Sequence, residues 1–439
     1  MHTAHSNIPQ RHTAAYPIAG AVAEIKQRML DWASQFSILL FLDSNEYPSP
    51  YSRYECLLAT GCREVISIDD GDTDALQRLQ QLHDRQRDWL FGHIGYDYKN
   101  ALEPKLSSQH TVKISFPELH FFVPQTVCYI AAGSNELTIA TYNDPAAVYA
   151  AIMACVPAAP PVLPKLQFCN VVDKASYIAT LQKLRTHIAD GDCYEINFCT
   201  EGFSEHADVV PLDVFKLLNR LSPAPFAAYY RLQNQYMMCA SPERYLAKHG
   251  SKLLTQPIKG TARRDADPAK DEAIKEALRA DIKERAENVM IVDLMRNDLA
   301  HVCSPGSVTV DELYGIYTFP QVHQMISTVS GTMRPAVPFT AALRHSFPMG
   351  SMTGAPKHKV MQLIEQYERS RRELFSGTVG YITPDGDMDL NVVIRSMFYN
   401  ADTGYLSYQT GGAITYDSDP AKEWDEMRLK AWALERIFI

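Results

Sequence analysis

The sequence predicts an α+β chain with antiparallel strand pairing, on three observations. Apolar runs that read as strands are joined by short turns, as in VCYIAAGSNELTIATY around Gly133, Ser134 and Asn135. Segments with apolar residues every three or four positions alternate with these runs; in one, Tyr177, Leu181, Leu184 and Ile188 share a helix face and Gly191 supplies the stop. At 439 residues the chain is long enough to bury a large core, and two interwoven lobes suit that length.

Taken in order, residues 21–36 alternate apolar and charged positions in a helical way, and SILLFLDSN then reads as a buried strand ending in turn residues. FGHIGYDY, from Phe91, is a second strand-like piece, with two glycines that permit close backbone approach. A small helical segment precedes VPAAPPVLP, from Val156 to Pro164, which is too rich in proline for a helix or central strand. The division of the chain is placed there: 1–164 an N-terminal region, 165–439 the region carrying the chemistry. MMCASPERYLAKHGSKLLTQPIKG reads as a hairpin turning at His249 and Gly250, with Glu243 roughly opposite Gln256, so that Glu243 and Lys259 emerge at the same open end. Residues 271–300 read as one helix. GTVGYITPDGDMDLNVVIRSMFY and TGYLSYQTGGAI read as a meander turning between Pro384 and Asp387, and a last helix starts with Asp419 as cap and Pro420 at its first position.

Composition excludes several classes. Lys plus Arg number 42 against 51 Asp plus Glu, a net charge of -9, which argues against a general nucleic-acid or anionic-membrane surface. The longest strongly apolar run, Phe36 to Leu42, is far short of the roughly 20 residues of a membrane span. The N-terminus lacks a basic region followed by an apolar core, so the expected location is the cytoplasm. Nine cysteines without a CxxC pair signal neither a disulfide framework nor a zinc site.

Several residues could carry chemistry. TQPIKGTARR delivers Lys259 to a strand end beside a glycine; an amine acts as nucleophile only when neutral, which requires burial or nearby cations such as Arg263 and Arg264. Glu284 and Glu287 lie three apart on one helix, and Glu423 and Glu426 repeat the spacing on another, with Lys430 one turn later. Four carboxylates so paired suit an oxygen-only magnesium site, although spacing alone favours two solvated helix faces with local salt bridges. FPMGSMTGAPKHKV, with Gly350, Thr353 and Gly354, leads into a helix whose first N–H groups would be free for an anion. Arg395 sits in an apolar strand and needs an anionic partner, from the protein or from a ligand. Gly411 and Gly412 allow close backbone approach. His323 is either a base, an orienting group or a satisfied core histidine.

The strings SPERYL, TQPIKGT, KERAENVMIVDLMRND, FPMGSMTGAPK, GYITPDGDMDLNVVIRS and GGAITYDSDPAKEWDE, in that order, resemble the chorismate-utilising enzymes, the family that includes anthranilate, isochorismate, salicylate and aminodeoxychorismate synthases. LDSN, SRYE and GHIGYDY resemble its N-terminal region. The resemblance implies an anthranilate-synthase-like fold: antiparallel sheets packed face to face, helices outside, two interleaved lobes. It implies magnesium on Glu287 and Glu426, supported by Glu284 and Glu423. It also implies that Arg395 and Tyr381 hold the enolpyruvyl carboxylate with Gly411 and Gly412, that Thr353 lies near the ring carboxylate, and that Lys430 and His323 belong to the substrate site.

Within that family, position 259 sorts the branches: anthranilate synthases resemble PIAGT and aminodeoxychorismate synthases PIKGT. A lysine there implies that chorismate and ammonia give 4-amino-4-deoxychorismate, toward p-aminobenzoate and folate, with Lys259 attacking carbon 2 and Glu243 protonating the departing hydroxyl. No amidotransferase segment is visible, so the resemblance implies a glutamine amidotransferase subunit as the source of ammonia. The alternatives are an isochorismate- or anthranilate-type enzyme and, outside enzymes, a silent amino-acid-binding regulatory subunit. Three departures stand out: Glu195 where the family usually has Gln, in a region that in relatives holds tryptophan; PIKGTARR for PIKGTxPR; and Ala413 for a frequent Gly.

Overall fold

In the computed structural model, residues 10–157 and 161–439 are described; the middle of the proline-rich run, 158–160, and the first nine residues lie outside them. Two sheets organise the chain, one of 12 strands and one of 10, and the pairings in both are antiparallel. Their facing sides enclose the largest core. In strand Ile38–Asp43, Leu40 packs into that core while Leu39 and Phe41 pack on the opposite side, beneath helices Val22–Ala33 and Pro211–Leu221. Strand residues point alternately to the two faces, and both faces are covered, so the strand reads as a continuous apolar run. Each fully buried Leu or Phe of this kind contributes about 1.5–3 kcal/mol.

The division at Pro164 separates sequence but not sheets. Strand Ile38–Asp43 pairs with Phe226–Leu232 in the first sheet, and Leu90–Ile94 pairs with Thr378–Ile382 in the second, so each sheet is built from both regions. The lobes are interleaved in the sense that the resemblance implies.

Three local expectations are corrected. The stretch 271–300 is two helices, Pro268–Ala280 and Ile282–Ala300, broken at Asp281, whose side chain accepts from the Glu284 N–H and caps the second. Only the 244–256 part of the hairpin pairs with itself: Gln235–Ser241 belongs to the first sheet and Arg244–His249 to the second, and Arg244, not Glu243, faces Gln256. The 378–414 meander is likewise split, with Thr378–Ile382 and Met388–Asn391 in the second sheet and Ser396–Asn400 and Tyr405–Ile414 in the first. Where a strand leaves one sheet and enters the other, the hairpin pattern in sequence is unchanged, because turn chemistry and apolar alternation do not say which sheet receives the next strand.

The two crossings run side by side. Val392 N–H donates to the Glu243 carbonyl at 3.0 Å and Ala240 N–H to the Arg395 carbonyl at 3.2 Å. This places Glu243, on one crossing, next to Arg395, on the other.

Candidate active site

The crossings open onto a cavity of about 210 Å³, walled by both sheets and by the two carboxylate-bearing helices. Strand Ile258–Arg263 brings Lys259 to it. Gly260, at φ +93°, leaves room beside it: a Cβ there would stand 3.2 Å from the Glu284 Oε2. On the opposite wall, strand Tyr405–Ile414 supplies Gly411 and Gly412. A Cβ on Gly411 would lie 2.1 Å from the Phe198 carbonyl, so glycine is required for the two strands to approach.

Lys259 is buried, and its ammonium is held by Glu195 on strand Glu195–Ser204. Burial alone would lower its pKa, but the carboxylates of Glu195, Glu287 and Glu243 outweigh burial and the net direction is up. The expected activating arginines are elsewhere: Arg264 pairs with Asp271 at 2.8 Å and Arg263 is exposed, and neither lines the cavity. Glu243, 4% exposed, is pushed up to about 7 by burial, against the pull of the Ser351 hydroxyl, Lys259, the Ile258 N–H and Arg395. A carboxylic acid at about 7 carries a proton to give near neutral pH.

Arg395 is not in a strand but on the second crossing, at φ +51°. Its guanidinium lines the cavity, and among the described residues no carboxylate lies within 4.0 Å of it and no side-chain hydrogen bond engages it. A guanidinium left unpaired in a cavity wall is a receptor for an anionic group of a ligand.

Glu284 and Glu287 from helix Ile282–Ala300 and Glu423 and Glu426 from helix Pro420–Glu435 all line the same cavity. Lys283 reaches between them, 3.6 Å from Glu287 and 3.7 Å from Glu423, and Lys430 bonds Glu426 and the Gly411 carbonyl, both at 2.9 Å. The Glu287 Oε1 is buried without a hydrogen-bond partner, and burial raises Glu287 to about 7 and Glu284 and Glu423 in the same direction. Among the described residues no three such side chains are drawn together as a ready ligand cluster. The unpartnered oxygen and the crowding of carboxylates nevertheless fit a hard cation, which takes oxygen donors and keeps waters of its own.

Three expected substrate contacts lie outside the cavity. Tyr381 borders a smaller cavity and packs with Tyr54, Trp89 and Phe91, because its strand turns it toward the N-terminal region; Phe375 lines the main cavity instead. His323 is the satisfied core histidine: Nε2 meets Asp271 at 2.9 Å and Nδ1 meets Thr318 at 3.0 Å. Thr353 is fully buried, its hydroxyl donating to the Met349 carbonyl at 3.0 Å, while Ser351 and Met352 face the cavity. The helix that follows this loop is Lys357–Tyr367, with Pro356 as its cap.

Sequence reading passed over Lys283 and gave Glu195 no role. Lys283 could have been found from its place beside Glu284 in KERAEN. Glu195 showed only as a departure from the family's Gln; the structure sets it against Lys259.

A sequence profile described as chorismate binding enzyme matches residues 39–436. The chain is similar to aminodeoxychorismate synthase of Streptomyces griseus, 40% identical over 268 residues, which are 60% of this chain and 36% of that protein's length. It is also similar to aminodeoxychorismate synthase component 1 of Klebsiella aerogenes, 34% identical over 336 residues, 76% of this chain and 74% of the relative. In fold it resembles the crystal structure of anthranilate synthase component I from Streptococcus pneumoniae TIGR4, with a TM-score of 0.77 at 24% identity, covering 89% of this chain and 94% of that one. Among the described residues, no helix is long and apolar enough to cross a membrane.

Proposed function

The chain belongs to the chorismate binding enzyme family, and we propose that it aminates chorismate at carbon 4 as aminodeoxychorismate synthase component I, using ammonia delivered by a glutamine amidotransferase subunit. The observation that carries this reading is Lys259 in the wall of the cavity that also holds Glu243, raised to about 7. Arg395 receives the enolpyruvyl carboxylate. Neutral Lys259 bonds to carbon 2, both double bonds of the ring diene shift, and the carbon 4 hydroxyl leaves as water with the proton of Glu243. Ammonia then bonds to carbon 4, both double bonds shift back, the carbon–nitrogen bond to Lys259 breaks, and the surplus proton returns to Glu243. Glu287 and Glu426, with Glu284 and Glu423 beside them, would hold magnesium, which supplies charge to fix the ring carboxylate.

The alternative nucleophile is water: from the cavity wall a neutral Lys259 would act as general base, taking a proton from a water whose oxygen bonds carbon 2 as the carbon 4 hydroxyl leaves, and the product would be of the isochorismate type. Incubation with chorismate, magnesium and an ammonium salt separates the two. The expected product is 4-amino-4-deoxychorismate; isochorismate or anthranilate in its place overturns the assignment.

A further inference from the structure

The amination chemistry leaves one neighbour of Lys259 without a task. Glu195 is 1% exposed; one carboxylate oxygen accepts from the Lys259 ammonium, and the other is buried with no hydrogen-bond partner among the described residues. Its backbone is fixed. Glu195 pairs with Ala355 and Ile196 with Gly354, and a Cβ on Gly354 would stand 2.1 Å from the Glu195 carbonyl oxygen, so the strands meet only because that residue is glycine. The same loop carries Ser351, which lines the cavity together with Glu243. One short segment therefore reaches both the surroundings of the acid and the partner of the amine.

We propose that Glu195 is the positioning residue of Lys259: it anchors the ammonium at the cavity wall and sets the pH window in which the amine is free to bond carbon. This rests on the nucleophile role proposed above. A lysine side chain has four rotatable bonds, and an anchor of fixed backbone selects one of its many positions before the substrate arrives. Glu195 is the carboxylate in contact with Lys259 among the described residues. The other charged groups around it are Glu243 and Arg395 on the crossings, Lys283, Glu284 and Glu287 on helix Ile282–Ala300, and Glu426 on helix Pro420–Glu435. These remain when Glu195 is changed, so the substitution isolates the contact.

Glu195→Gln keeps the shape and an acceptor oxygen but removes the charge. An opposite charge in contact holds a lysine protonated to higher pH, so its loss frees the neutral amine at lower pH. The test uses the full chain with magnesium and reads the rate of acylation of Lys259 by acetic anhydride against pH, by peptide mass, alongside the pH profile of kcat/KM. The labelling midpoint is expected to fall by about one pH unit or more in Glu195→Gln, and the acid limb of the profile to move the same way. Glu195→Asp, which withdraws the carboxylate by one methylene, is expected to shift the midpoint in the same direction by a smaller amount, and it serves if the Gln variant does not fold. A midpoint that stays at the wild-type value in the variant that folds overturns the proposal. Labelling needs no turnover, so a wrong product in the assay above would overturn the reaction assignment while leaving the Lys259–Glu195 contact to be judged by its own result.

Discussion

Two lysines of this chain are buried to the same degree and stand in opposite surroundings. Lys26, 8% exposed, is clasped by Asp43 at 2.6 Å and by Glu55, and Lys259, 7% exposed, by Glu195. Around Lys26 every carboxylate oxygen has a further or shared partner: Asp43 accepts from the Asn45 N–H and from Asn219, and Glu55 from Ser44 and from the Glu46 N–H. Around Lys259 the second oxygen of Glu195, the Oε1 of Glu287 and the side-chain oxygens of Gln324 and Thr410 have no hydrogen-bond partner among the described residues. Burial therefore does not separate the two sites. Satisfaction does: the network around Lys26 is closed, and the one around Lys259 is open.

This contrast can be broken at either end. The largest effect is expected from Lys259→Ala, which should abolish product formation while the thermal midpoint shows a folded chain. Lys26→Met should do the reverse, costing about 3–5 kcal/mol of unfolding free energy by stranding Asp43 and Glu55 while kcat/KM per folded molecule holds; loss of activity there would collapse the distinction.

Glu243→Gln is next, with kcat expected to fall by about 10²–10⁴-fold. The same variant carries a stability signature. Folding raises Glu243 from the ordinary carboxylate range to about 7, so its contribution is fully present below the unfolded pKa and is lost as pH rises through 7. Gln removes that loss, and the variant should gain about 3 kcal/mol relative to wild type between pH 4 and pH 8 in denaturant titrations. An equal stability difference at both pH values would show that the acid is not buried in solution.

Arg395→Ala should raise KM by roughly 10- to 100-fold, the worth of a charge-assisted contact to a ligand carboxylate. The smallest effect belongs to Tyr381→Phe: its hydroxyl does not face the main cavity, so kcat/KM should stay within about threefold, in line with changes that touch no special feature. A large loss would place Tyr381 back in the site.

What the chain spells out depends on the kind of information required. Strand Ile38–Asp43, helix Lys174–Ala189 and the Asp419 cap follow from periodicity and local hydrogen bonding, which sequence encodes directly. The gathering of Lys259, Glu243, Arg395 and four glutamates was legible from the family strings, because those strings are the linings of one cavity. The sheet crossings were not legible, and they alone explain why Glu243 and Arg395 are neighbours. His323 and Thr353 lie on a strand and a loop that reach the site, and the strand of Tyr381 lines the smaller cavity instead; the direction of each side chain is set by pleat and loop geometry and not by spacing. Glu195 was visible only as an oddity, since its partner lies 64 residues away in sequence.

Nucleophilic catalysis by Lys259 requires a covalent bond to substrate, and that bond can be weighed. The measurement is the intact mass of the chain, followed by the peptide containing Lys259, after chorismate and magnesium are added without ammonia. The expected result is an added mass equal to chorismate less one water, carried on Lys259 and absent from Lys259→Ala. Turnover to 4-amino-4-deoxychorismate on adding ammonia, with no such mass ever trapped on Lys259 under rapid quenching, would contradict it.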